Sequence, residues 1–155
     1  MPIIPIKGLF ETHLTVSDLE ASIAFYRDVV GLPLAHRVPE RHVAFHWIDA
    51  PGRAMLGLWS LHTSPVRLRL HLAFDVALGD VVGSIDRLRA HGITPLDSGS
   101  GAPINEPIVF GWMPAAAVYF DDPDGHSLEY IAMLPGMPRP EAGRVTLSAW
   151  RALVG

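Results

Sequence analysis

Gly8–Gly31 reads GLFETHLTVSDLEASIAFYRDVVG, and Leu68–Gly92 reads LRLHLAFDVALGDVVGSIDRLRAHG. Each stretch runs from an alternating segment through a polar joint into a helix-period segment that stops at a glycine, so the chain carries a duplicated βα unit. In the second copy Leu68, Leu70, Leu72, Phe74 and Val76 alternate with Arg69, His71, Ala73 and Asp75, the two-residue period of a half-buried strand. In the first copy Phe10, Thr12, Leu14 and Val16 share one face, and Glu11, His13 and Thr15 share the other. His13 and His71 therefore hold equivalent places on the more polar face of their strands.

Ser17-Asp18-Leu19-Glu20 has the capping-box pattern, in which serine and glutamate oxygens satisfy unpaired backbone N–H groups at a helix start. Leu19, Ile23, Tyr26 and Val30 follow at helical spacing, and Gly31 is a left-handed terminator. Asp80 is the expected cap of the second helix, Val81, Val82, Ile85 and Leu88 its inward stripe, and Gly92 its end. Strands are expected at Leu34–Val38, His42–Ile48 and Ala54–Trp59. In the second half they are expected at Ile93–Leu96, around Ile108, at Ala115–Phe120 and at Ser127–Met133. Asp121–Gly125 joins the last two, its proline fixing φ and its glycine accepting positive φ. The fold class is α+β: two βαβββ modules, 1–65 and 66–134, pairing their open sheet faces into a half-open, barrel-like cleft. A proline-rich connector fills 135–155, with a short helix through Leu147, Trp150 and Val154.

Length and composition agree with that reading. At 155 residues, 49% hydrophobic and 18% charged, the chain is one compact domain or two small halves sharing a core. A formal net charge of -4 without any basic run excludes nucleic acid and anionic membrane as partners and leaves small molecules. With no Cys, disulfides, thiolate metal sites and cysteine nucleophiles are excluded. Neither a signal-peptide core nor a membrane span is present, which makes a cytoplasmic location the expectation.

Strand parity carries the chemistry. Leu128, Tyr130 and Ala132 take one side of the last strand, and Ser127, Glu129 and Ile131 the other. His13, His71 and Glu129 then aim into the cleft, a donor set for a divalent Zn, Ni, Fe, Mn or Co ion with coordination positions open to water and substrate. Three rival readings stand beside it. A histidine in a strand is commonly a hydrogen-bonded structural residue. Glu129 on an exposed edge needs no metal, and Arg69 could neutralise Glu129 or Glu11 in a metal-free ion-pair network. His42 and His46 fall two alternations apart on one face, as proton carriers or as plain strand surface. Tyr119 is a candidate donor to a substrate oxygen, whereas Tyr130, on the opposite parity from Glu129, packs under a helix. Trp47, Trp59, Trp112, Phe45 and Phe110 form either an apolar substrate wall or core.

HLTVSDLEASIAFYRDVVGL, the second-copy HLAFDV and VYFDDPDGHSLEYI together resemble the vicinal oxygen chelate superfamily, the group of glyoxalase I, bleomycin-resistance and fosfomycin-resistance proteins and extradiol dioxygenases. The resemblance spans about residues 6 to 134. It implies paired βαβββ units, a symmetric dimer, and metal ligands at His13, His71 and Glu129, with the metal chelating two neighbouring substrate oxygens. Departures narrow the activity. Gly57 stands where glyoxalase I has a further glutamate, and Phe110, Gly111 and Trp112 stand where extradiol dioxygenases place a catalytic histidine. Residues 105–120 hold no Lys or Arg for a phosphonate. A glyoxalase-related lyase or isomerase is the leading expectation. An iron-dependent extradiol-type dioxygenase and a non-catalytic drug-binding protein are the alternatives.

Overall fold

The computed structural model describes residues 7–60 and 68–155. The chain divides into two units, Met1–Leu68 and Arg69–Gly155, with the segment from 135 onward in the second. The module boundary expected at 65/66 lies outside the described residues.

The first unit runs β1 (Glu11–Val16), α1 (Leu19–Asp28), β2 (Leu34–Val38), β3 (Val43–Ile48) and β4 (Ala54–Ser60). Its sheet has the order β1-β4-β3-β2, with β1 parallel to β4 and the other pairs antiparallel. Leu14, Val16, Ala44, Leu56 and Leu58 are buried together with Ile23 and Tyr26 of α1, so one sheet face is the core and the other carries no helix. The helix starts one residue later than the capping-box pattern predicts. Asp18 is the cap, its carboxylate accepting from the Ala21 N–H at 2.9 Å. Gly31 ends the segment at φ +84°, the left-handed geometry that glycine adopts without a Cβ penalty.

The second unit runs β5 (His71–Asp75), α2 (Leu78–Ala90), β6 (Ile108–Phe110), β7 (Ala115–Asp121), β8 (Ser127–Met133), β9 (Arg144–Thr146) and α3 (Leu147–Val154). The sheet order is β5-β8-β7-β6-β9, again with a parallel pair, β5 with β8. Leu128, Val118, Phe120 and Ala132 are buried with Val81, Ile85 and Leu88, so α2 covers the face opposite Glu129.

Three expectations change here. The strand expected at Ile93–Leu96 does not form; Leu96 makes only isolated bridges, to Tyr119 and Pro103. The cause is that β6 occupies the edge of β7 along Ala115–Ala117, leaving only the Tyr119 position for Leu96. Asp80 does not cap α2, which begins at Leu78 after Ala77; Asp80 lies in the first turn and accepts from Arg87 at 3.0 Å. The C-terminal segment adds β9, paired to β6, before α3, whose cap Thr146 accepts from the Ala149 N–H. Among the described residues no helix is long and apolar enough to cross a membrane.

Candidate functional site

The helix-free face of the second sheet is built by register. His71 lies beside Ser127, and the next row is Ala73, Glu129 and Tyr119. The His71 Nδ1 stands 3.0 Å from the Ser127 carbonyl oxygen. A carbonyl only accepts, so Nδ1 carries the ring proton, and the lone pair of the neutral ring is at Nε2. That Nε2 faces Glu129 Oε2 at 3.2 Å. Glu129 is only 3% exposed, and its other oxygen, Oε1, is buried without a partner at hydrogen-bond distance. Burial raises the carboxyl pKa above its ordinary value, against the opposing pull of Tyr119 and His71. Two acceptors thus face each other around a buried carboxylate, an arrangement that calls for a cation, either a proton or a metal ion.

Tyr119 completes this cluster. Its ring stacks on His71 with centroids 5.6 Å apart and planes 18° from parallel, and Phe110 meets it edge-on at 6.5 Å. Burial and the facing Glu129 carboxylate both hold the phenolic proton in place, pushing its pKa well up, while the Ser98 hydroxyl opposes them. Arg69 pairs with Asp121 at 2.7 Å. Tyr130 lies on the opposite parity among Phe74 and Phe120, and burial raises its pKa.

In the first unit His13 occupies the helix-free face, in register with Gly57 and, across β4, Phe45. Its ring lies 5.6 Å from Trp59 and 6.1 Å from Phe45, and its Nε2 stands 2.8 Å from Glu11 Oε1. A Cβ at Gly57 would stand 2.6 Å from His13 Cδ2, so the ring fills the space a side chain there would need.

The two other candidate histidines, His46 and His42, fall elsewhere. His46 is fully buried on the covered face near Tyr26 of α1, its Nδ1–H donating to the Leu32 carbonyl at 2.8 Å and its Nε2 without a partner at hydrogen-bond distance. Burial lowers its pKa. His42 lies outside β3, ending a short 3-10 turn in the left-handed region at φ 50°, and its carbonyl accepts from the Ser60 N–H. Among the described residues no group of three or more His, Asp or Glu side chains is gathered closely enough to hold a metal ion. The structure brings His71, Glu129 and Tyr119 together in the second unit, while His13 belongs to the first. Sequence reading missed the Ser127 carbonyl that sets the His71 tautomer; a backbone group leaves no trace in residue identity.

The sequence model of the Glyoxalase/Bleomycin resistance protein/Dioxygenase superfamily matches residues 8–130. Among solved structures, an integron cassette protein from the mobile metagenome of the Halifax Harbour sewage outfall is similar at 29% identity and a TM-score of 0.69. That match covers 83% of this chain and 100% of that one. A glyoxalase/bleomycin resistance protein/dioxygenase from Nocardioides is similar at 28% identity and a TM-score of 0.62, covering 87% of this chain and 89% of that one. A lactoylglutathione lyase from Agrobacterium tumefaciens is similar at 26% identity and a TM-score of 0.66, covering 83% and 96%.

Proposed function

We propose that this chain, which belongs to the glyoxalase/bleomycin resistance protein/dioxygenase superfamily, is a metal-dependent lyase or isomerase acting on a small organic substrate with two adjacent oxygens. The superfamily typically uses divalent metals, and the likeness to a lactoylglutathione lyase supports this reaction class. One observation carries the reading: His71 Nε2 and Glu129 Oε2 face each other at 3.2 Å, with Glu129 Oε1 buried and unpartnered beside them.

This donor set fits a divalent metal. The Ser127 carbonyl takes the Nδ1 proton of His71, as a backbone oxygen does behind many metal-bound histidines, and so presents the basic nitrogen to the site. Glu129 contributes a buried carboxylate whose charge a cation would compensate. His13 is proposed as the third ligand because it is the first-unit counterpart of His71 in the repeat. Ligation through Nε2 requires His13 to give up its proton and its contact with Glu11. A divalent ion held by these residues would supply Lewis-acid polarisation of the paired substrate oxygens.

The remaining work belongs to the chain. Tyr119 keeps its proton at neutral pH and so acts as a hydrogen-bond donor to a substrate oxygen. The His71 ring, stacked on Tyr119, is fixed in plane as well as in tautomer. Elemental analysis after incubation with Ni, Co, Mn, Zn or Fe and dialysis tests the reading. The expected result is one bound metal per chain in wild type and none in His71→Ala or Glu129→Ala. Equal retention by wild type and variants would overturn the assignment.

A further inference from the structure

Arg144 lies beyond the family-matched residues, on β9, in register with Phe110 of β6. Its guanidinium forms an ion pair with Asp97. The same Nη2 donates to the Ser98 hydroxyl at 3.0 Å. Its Cζ lies 5.7 Å from the centre of the Phe110 ring. Gly99 leaves it room, since a Cβ there would stand 1.6 Å from Nη1. The loop itself is wound around Asp97, whose carboxylate also accepts from the Ser100 N–H and hydroxyl.

Tyr119 is held by His71 stacked on one side of its ring, by Phe110 at its edge, and by Leu96, whose N–H donates to the Tyr119 carbonyl at 2.7 Å. Arg144 reaches this frame at two points, Phe110 itself and Ser98, two residues beyond Leu96.

We propose that Arg144 is a positioning residue for Tyr119, holding Ser98 and Phe110 so that the phenol stays between His71 and Glu129. The geometry stands by itself; its bearing on metal binding rests on the function proposed above. By this route a segment outside the family-matched residues becomes part of the site.

The test is fluorine NMR of the full chain labelled with 3-fluorotyrosine, which gives one resonance for each of Tyr26, Tyr119 and Tyr130, assigned with Tyr119→Phe. Arg144→Ala, Arg144→Lys and Ser98→Ala are expected to shift the Tyr119 resonance and leave the other two in place. Lysine keeps a charge for Asp97 but lacks the planar fork. It also decides the matter together with Ser98→Ala if Arg144→Ala fails to fold. A Tyr119 resonance that stays put, or three resonances that move together, overturns the proposal.

The second readout is Co2+ affinity. Removing a positive charge would by simple electrostatics tighten cation binding, so the expected several-fold weakening in Arg144→Ala reports positioning. The weakening should disappear in a Tyr119→Phe background. Unchanged affinity in Arg144→Ala, with a wild type that binds Co2+, overturns the role at the site. A wild type that takes up no Co2+ sinks the metal reading, and the fluorine spectra alone then decide the clamp.

Discussion

The imidazole of His13 lies over Gly57, its register partner in β4, so closely that an added Cβ would stand 2.6 Å from Cδ2 and 3.0 Å from Nε2. Two paired strands resist displacement more than a half-exposed ring does. Gly57→Ala should therefore turn His13 aside and leave the strands in place. The expected stability change is within about 1 kcal/mol, with the His13 imidazole NMR signals shifted and, from the ligand role proposed for His13, metal retention lost. Gly57→Glu should displace the ring in the same way, because the glutamate stem needs the space the ring fills. A Gly57→Ala protein with unshifted His13 signals would refute this account.

Much of this was legible in the sequence because a strand has a two-residue period. That period alone put His71 and Glu129 on the helix-free face of their sheet, and His13 on that of its own. It failed for His46, since β3 is apolar on both faces and parity does not say which one α1 covers. It also gave no sign of β9 or Arg144. Three residues between a proline-rich stretch and a helix make a strand only because the edge of β6 offers them a ladder. Long-range pairing of that kind is set by tertiary context, as is the loss of the strand expected at Ile93–Leu96.

Glu129→Gln keeps the side-chain shape and removes the charge. In wild type the metal-free fold buries a carboxylate with one oxygen unpartnered, so the variant is expected to be as stable as wild type or more so without metal. The order should reverse with metal present, because only wild type gains binding energy from it. Thermal unfolding with and without Co2+ measures both halves. A variant less stable than wild type in chelator would contradict the uncompensated charge.

His46 sets a pH dependence whose sign follows from its burial. Burial lowers its folded-state pKa below the unfolded value of about 6.5. Its contribution to stability is therefore complete above that value and is lost as pH falls through the folded pKa. Protonation would add a buried Nε2–H, at an atom without a hydrogen-bond partner. His46→Asn keeps a donor for the Leu32 carbonyl but does not titrate. It should cost about 1–3 kcal/mol at pH 7 through lost packing, and the gap to wild type should narrow at pH 5. Urea unfolding at the two pH values gives the comparison, and a constant gap would assign the acid sensitivity to other groups.

Gly111 provides the contrast to Gly57. A Cβ there would stand 2.3 Å from the Arg139 carbonyl oxygen and 3.1 Å from that of Gly143, and both obstacles are backbone. The same two residues bond to it: Gly111 N–H donates to Gly143 at 2.8 Å, and Arg139 N–H donates to the Gly111 carbonyl at 2.7 Å. No side chain can swing away, so Gly111→Ala must push the 139–143 segment off the sheet and with it disturb β9. The expected cost is about 2 kcal/mol, within the range for overpacked sites. Hydrogen exchange should accelerate at Arg139, Gly143 and β9 before it does in β7 and β8. Unchanged stability and protection in this variant would mean that the segment is not held against Gly111 in solution.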